Sequence, residues 1–343
     1  MKAVVLAGVE DVRVEDVPDP AIAEATDALV RVRHTAICGA DLLPFRGLTP
    51  GFEYGTVLGH EFVGTVVEVG PAVRRIKSQE RVVCTSTVSD GTCAHCRAGR
   101  PSQCLDRALF GYSGVYPRLD GGQAELVRVP MADRCLWPLP DSISDEAAIF
   151  VADILPTGFG AVRRGQIGIG DLVAVVGCGP VGLMAVLCAR GAARCVIAVE
   201  PIPARQELAR RLGAEAVSPE DAERAVQAAS AGLGADLVIE AAGSPRALDL
   251  ALRLVRGRGT LSVVGAHFEP DYPLNNGLMF EREITLRFTI GDPASDREKL
   301  LAVLAEGKLD PTEIITHRLP LGEARQAYQL FYRYEATKVV LQP

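Results

Sequence analysis

The sequence predicts an α/β protein in two parts, a mainly β region followed by a doubly wound parallel sheet. Three observations carry this. The chain has 343 residues, more than one core usually serves when domains run to about 100–200 residues. Up to about Phe150 it is rich in Val, Gly and Pro, with alternating runs at 29–32 and 62–69, the pattern of short strands joined by turns. From about Gly170 buried strands and helices alternate, which is how a parallel sheet with crossover helices is written in sequence.

Taken in order, residues 1–8 hold a short apolar stretch before Glu10 and Asp11. No signal-type cleavage pattern follows, so they read as a first strand in a cytoplasmic protein. In the second part, 172–176 reads as strand, 181–190 as helix and 195–199 as strand. A helix over 204–212 stops at Gly213, a suitable left-handed cap. Residues 237–239 form another buried strand. Ser244 and Pro245 supply an N-cap and first-turn proline for a helix through Val255, and 260–264 is the next strand. After about Thr289, a helical stretch at 296–307 and a closing strand near 338–341 return to the first domain. The predicted division is 1–153 with 290–343, and 154–289. Residues 172–189 carry no charge and pass a crude length threshold for a membrane helix. Gly177, Gly179, Pro180 and Gly182 in their middle suit a strand, turn and helix instead.

Composition narrows the function classes. Hydrophobic residues at 48% and charged ones at 23% are a globular mix. With 36 Lys and Arg against 43 Asp and Glu, the net charge is −7, and no basic cluster follows a phosphate backbone, so nucleic acid is not an expected partner. Nine cysteines without a signal peptide point away from disulfides. Cys93, Cys96 and Cys104 are grouped like metal ligands, whereas Cys84, Cys135, Cys178, Cys188 and Cys195 sit among apolar neighbours as small core residues.

The run Gly177-Cys178-Gly179-Pro180-Val181-Gly182 fits G-x-G-x-x-G and lies between a buried strand and a helix start, where a dinucleotide pyrophosphate is held. Glu200, at the end of the second strand, is placed to accept hydrogen bonds from the adenosine ribose hydroxyls. A carboxylate there repels a 2′-phosphate, which favours NAD(H) over NADP(H). Arg205 pulls the other way, since it could cover the adenine, bind a 2′-phosphate, or simply be a solvated helix residue.

Cys38-Gly39-Ala40-Asp41 and Gly59-His60-Glu61 each set a metal-binding side chain among turn residues beside a carboxylate. Singly, Cys38 could be a core thiol, His60 a strand-edge histidine and Asp153 an N-cap. Together with Asp153-Ile154-Leu155-Pro156-Thr157-Gly158, they make the whole chain resemble the medium-chain zinc-dependent alcohol dehydrogenases. The resemblance implies a GroES-like mainly β catalytic domain joined to a Rossmann domain. It implies a catalytic zinc on Cys38, His60 and Asp153, with Glu61 as alternative ligand, Asp41 orienting His60, and Thr157 beside the nicotinamide. Ala242, Gly243 and Gly265 join Gly177, Gly179, Pro180, Val181, Gly182, Glu200 and Arg205 as expected cofactor contacts. Cys93, Cys96 and Cys104 match its structural-zinc lobe, with Asp90 where the family has a first cysteine. Three thiolates and a carboxylate still satisfy tetrahedral zinc, with a harder donor that weakens the site. Homodimers or homotetramers are the family's usual states.

One departure bears on the reaction. The family's proton relay uses a hydroxyl two residues after the zinc cysteine and a histidine three residues beyond that; this chain has Ala40 and Leu43 there, and neither passes a proton. Three readings stay open: alcohol or carbonyl chemistry with another proton route (Glu61, Tyr54, Thr56 or water), reduction of a conjugated C=C or C=N bond, and NAD(H) binding without turnover. Phe45, Phe52, Tyr54, Tyr112 and Phe288 line an apolar substrate pocket or belong to the core. His34, His95, His267 and His317 read as ordinary polar residues.

Overall fold

Pairing between sequence-distant strands builds the first of two units in the computed structural model, which describes residues 1–267 and 271–343. This unit comprises Met1–Pro156 and Asp292–Pro343. Its seven-stranded sheet runs Ile315–Pro320, Lys338–Gln342, Ala28–Ile37, Glu61–Val69, Arg81–Cys84 and Leu136–Pro138, with Leu126–Val129 paired to Ala28–Ile37 off this path. Lys338–Gln342 pairs parallel with Ile315–Pro320 and antiparallel with Ala28–Ile37. The strand Lys338–Gln342 is thereby locked beside the strand that ends at Ile37, next to Cys38.

Among the described residues, the two larger apolar clusters of this unit are these. Phe62, Val66, Val82, Phe110 and Leu136 form one, with the Phe62 and Phe110 rings edge to face at 5.3 Å. Ile37, Phe45, Leu58 and Leu341 form the other, beneath Tyr328 and Phe331 of the helix Ala324–Tyr332. Each fully buried side chain of this size contributes about 1.5–3 kcal/mol. Phe45, a candidate pocket residue in the sequence, is core: it is 3% exposed and its ring packs on Tyr328 and Tyr332.

The second unit, Thr157–Gly291, is a six-stranded parallel sheet ordered Glu215–Val217, Cys195–Val199, Leu172–Val176, Ala235–Glu240, Val255–Val263 and Thr285–Phe288. Every residue of Leu172–Val176 is buried, hence its unbroken apolar run instead of an alternating one. The helix Pro180–Ala189 is apolar because nearly all of it is buried. The uncharged stretch is therefore strand, turn and helix, and among the described residues no helix is long and apolar enough to cross a membrane.

Among the elements that escape the sequence reading are the strand Glu215–Val217, the helix Ala222–Ala229, the helix Asn276–Glu281 and the strand Thr285–Phe288. Both strands are short and carry exposed positions, so they lack the apolar run that marks a central strand. The strand expected at 260 begins at Val255. Ala235 pairs with Val255 but Leu237 with Thr260, and the extra residues bend outward through Arg258 at φ +58. Phe288 lies on the outermost strand, 67% exposed.

Candidate metal centre and dinucleotide site

Sheet register assembles the first cluster. Ala36 pairs with Glu61 and Ile37 with Val339, so the residues just beyond these partners, Cys38, His60 and Lys338, gather at one end of three adjacent strands. Cys38 starts a 3-10 turn, Gly39–Asp41, whose Asp41 carboxylate accepts from the Cys38 N–H at 2.9 Å. Asp153 follows the turn Phe150–Ala152. It is fixed from the strand side by Ser86, whose N–H donates to Ala152 O at 3.0 Å and whose hydroxyl donates to Asp153 Oδ1 at 3.2 Å.

Asp153 Oδ2 lies 3.6 Å from Cys38 Sγ and 3.5 Å from His60 Nε2, and the three donor atoms fall within 4.8 Å of one another. Zinc bonded tetrahedrally at about 2.0–2.3 Å separates its donors by about 3.3–3.8 Å, so the spacing fits that ion. The charges fit too: a thiolate, a carboxylate and a neutral imidazole balance a dication. Burial pushes the Cys38 thiol up to about 11. Burial also disfavours a charged His60, yet Asp41, Cys38 and Asp153 outweigh it and hold the imidazole well above its ordinary value. Asp153 is likewise opposed by burial but held low, chiefly by His60. The Asp153 side chain is 23% exposed and that of His60 1%, so the donor set opens on the Asp153 side.

Around these donors stands a buried polar shell. His60 Nδ1 is 3.1 Å from Asp41 Oδ1. Gln123 Nε2 donates to Ala36 O at 3.1 Å and reaches Asp41 Oδ2 at 3.5 Å, and Tyr328 donates to Gln123 Oε1 at 2.8 Å. Glu61 pairs with Lys338, both fully buried, and Lys338 also donates to Ile37 O at 3.2 Å. Burial raises the Glu61 carboxyl, and Lys338 offsets part of this. Glu61 stands outside the three-donor group, its carboxylate turned to Lys338. Ser86, Gln123, Tyr328 and Lys338 were not singled out in sequence; only Lys338, a charge inside a closing apolar strand, left a signal there.

The other candidates near this cluster are spread out. Tyr112 donates to Ala40 O and sets its ring 6.4 Å from that of His60, with Phe52 edge-on at 6.3 Å. Tyr54 is 47% exposed, and the Thr56 hydroxyl donates to Glu53 O at 2.7 Å, so neither is engaged with the donor atoms.

A second group, Asp90, Cys93, Cys96 and Cys104, also lies within 4.8 Å. Cys93 caps a short helix, Ala94–Arg97, by accepting from Cys96 N. Asp90 accepts from the N–H groups of Cys93 at 3.0 Å and Thr92 at 2.7 Å, which holds its carboxyl well below the usual range. Burial and the neighbouring Cys93, Asp90 and Cys104 push Cys96 up to about 12. Four donors close a tetrahedral sphere, whereas the first group leaves one position open.

In the second unit the glycine run turns as the pyrophosphate site requires. Gly177 has φ +94, a Cβ on Gly182 would meet Gly177 O at 1.9 Å, and one on Gly179 would meet nothing within 4 Å. The first glycine makes the turn, the third permits close packing, and the second leaves space in front of the helix start at Pro180 and Val181. Glu200 is 3% exposed and accepts from the N–H groups of Cys178 at 2.7 Å and Ile202 at 3.0 Å, tying the strand end to the glycine turn. Arg205 is 8% exposed, not a solvated helix residue. Glu240 accepts from the N–H groups of Ala242 at 2.9 Å and Gly243 at 2.7 Å, and from His267 at 2.9 Å. Gly265 backs this carboxylate, with no room for a side chain. His267 therefore buttresses this turn and is more than an ordinary polar residue. Thr157 packs against Gly291.

Residues 24–141 match the family described as the alcohol dehydrogenase GroES-like domain, and 180–306 that described as zinc-binding dehydrogenase. The solved alcohol dehydrogenase TADH from Thermus sp. ATN1 is 40% identical, with a TM-score of 0.94 over 100% of this chain and 99% of that one. A zinc-type alcohol dehydrogenase B of Aspergillus flavus is 36% identical over 351 residues, 99% of this chain and 81% of the relative. A medium chain reductase/dehydrogenase of Acremonium sp is 40% identical over 281 residues, 78% of this chain and 94% of the relative.

Proposed function

The chain belongs to the medium-chain zinc-dependent alcohol dehydrogenase family of oxidoreductases, and from that premise we propose that it moves hydride between NAD(H) and an alcohol or carbonyl compound at Cys38, His60 and Asp153. The convergence of these three donors into one zinc-sized set, open on one side, carries the reading. When bound, zinc supplies a Lewis acid for the substrate oxygen and the nicotinamide supplies or receives the hydride. The chain's own residues prepare that chemistry. Cys38 and Asp153 provide two negative charges, and His60 presents Nε2 while the Asp41 carboxylate stands 3.1 Å behind its Nδ1. Gln123 and Tyr328 keep the Asp41 carboxylate turned toward His60. Lys338 neutralises Glu61, so a third anion does not load the site; we assign Glu61 a supporting role in place of direct ligation. Asp90, Cys93, Cys96 and Cys104 hold a second, structural zinc.

In the second unit Gly177, Gly179, Pro180, Val181 and Gly182 receive the pyrophosphate, with Ala242, Gly243 and Gly265 on the neighbouring turns and Thr157 toward the nicotinamide. Glu200 supports NAD(H) over NADP(H), because a buried carboxylate fixed by two N–H groups repels a 2′-phosphate. Arg205, one helical turn on, contacts the adenosine end. The exposed Phe288 on the edge strand of the second sheet and the exposed Ile290 just after it favour a homodimer or homotetramer joined there.

Ala40 and Leu43 favour a second reading, reduction of a conjugated C=C or C=N bond, which needs no alkoxide proton path. One assay separates the readings: purified protein with NADH or NADPH and a panel of aldehydes, ketones and enals, with zinc measured alongside. Aldehyde or ketone turnover that is abolished in His60→Ala supports the proposal, and turnover of enals alone supports the second reading. Protein that binds NADH, lacks zinc and turns over nothing would overturn both in favour of a binding role.

A further inference from the structure

Beside the Cys93–Cys104 lobe, and sharing Cys96 with its donor set, lies a surface cavity of about 200 Å³. Arg75, Arg134 and Arg297 line it, together with Cys96, Asp133 and Ser295. The three guanidiniums come from three separate segments, and none forms an ion pair with a carboxylate among the described residues. Their hydrogen bonds go to backbone carbonyls: Arg75 to Asp133 O at 3.3 Å and Arg297 to Arg134 O at 2.6 Å. The buried Nε of Arg297 has no acceptor among the described residues. The one carboxylate in the lining, Asp133, is committed elsewhere, since it accepts from the N–H groups of Arg74, Arg75 and Ile76 at 2.7–3.2 Å.

Uncompensated charge is costly here. Arg75 and Arg297 both stack on the Trp137 ring, at 4.3 and 3.8 Å from its centroid, which holds both forks in place. Burial pulls the Arg297 guanidinium down to about 10; Arg75 and Arg134 add to that pull, while Cys135 and Glu298 oppose it. Among the described lining residues, three positive forks face one carboxylate, which is already occupied. A carboxylate offers two acceptor oxygens; a phosphate dianion offers three and matches planar guanidinium forks.

We propose that this cavity binds a phosphate dianion, free or as the head of a small phosphate monoester, through Arg75, Arg134 and Arg297. The contents of the cavity are readable because Trp137 is the chain's single tryptophan and lies against two of the three arginines. The test titrates Trp137 fluorescence of the full chain with inorganic phosphate, with glycerol phosphate and with sodium chloride at matched ionic strength. A saturable change with phosphate or the monoester, absent with chloride, supports the site, and whichever of the two saturates at lower concentration identifies the source. Arg134→Gln, which removes a fork that does not touch Trp137, is expected to weaken binding roughly tenfold or more. Arg75→Gln serves as the second variant should that one fail to fold, and Arg258→Gln, exposed in the other unit, is expected to match the parent. An equal response to chloride, or an undiminished phosphate response in both cavity variants, overturns the proposal.

Discussion

The two donor sets lie in the same unit but are put together by opposite means. Asp90, Cys93, Cys96 and Cys104 come from one loop, residues 90–104, and the loop's own N–H groups and a four-residue helix aim them. Cys38, His60 and Asp153 are held by the register of three strands and by a turn hydrogen-bonded to Ser86. The loop set offers four donors at a half-exposed site; the sheet set offers three, two of them buried. A local set can be filled and emptied with little effect on its surroundings, while a set built by strand register stands or falls with the sheet. The first suits a structural ion and the second a reactive one with a free position.

The sharpest way to break this contrast is to remove one donor from each set. His60→Ala is expected to lower turnover by more than the roughly 100-fold that loss of a supporting group costs, with one zinc fewer per chain and NADH affinity unchanged. Cys104→Ala is expected to lose one zinc as well, yet to keep most turnover per remaining zinc. Equal losses of activity in steady-state assays would mean that the division of roles is wrong.

Next comes the dependence of the sheet set on its buried pair. Lys338→Met leaves the Glu61 carboxylate alone in the core and is expected to cost about 3–5 kcal/mol of stability. Adding Glu61→Gln should restore much of it. Urea unfolding of the single and double variants measures the difference, and a double variant no better than the single would refute the pairing argument.

A smaller effect is expected at the loop. Asp90→Cys replaces a hard donor by a soft one and should slow zinc loss to a chelator severalfold, read by a colorimetric zinc indicator, while kcat stays within about twofold. Asp41→Asn, acting through His60, is expected to cost roughly 10–100-fold in affinity for the other zinc and to leave the loop metal in place.

The smallest effect separates metal loss from unfolding of the sheet. Asp145 is held below the ordinary carboxylate range by His34 and Arg33, with Arg81 adding to the effect. Because the folded state lowers its pKa, its contribution is full above about 3.9, the unfolded value, and fades as pH falls through the lower folded value. Asp145→Asn should therefore lower the melting temperature at neutral pH and converge with the parent in strong acid. Parallel melting curves across that range check the sign.

Much of this was legible in the chain itself. The unbroken apolar run at 172–176 is a strand buried on both faces. The glycines at 177, 179 and 182 mark the turn, and the spacing of Cys93, Cys96 and Cys104 marks a metal loop, because each is a local pattern imposed by local backbone geometry. Cys38, His60 and Asp153 carried no such pattern and were picked out by resemblance to a family. What tertiary structure alone decided is what contacts them: Lys338 opposite Glu61, Gln123 and Tyr328 behind Asp41, Ser86 on Asp153, and Arg205 out of solvent. Those pairings join residues as far as 277 positions apart. Sequence periodicity tells which side of a strand faces inward, but only strand order and register determine which distant side chain it meets there.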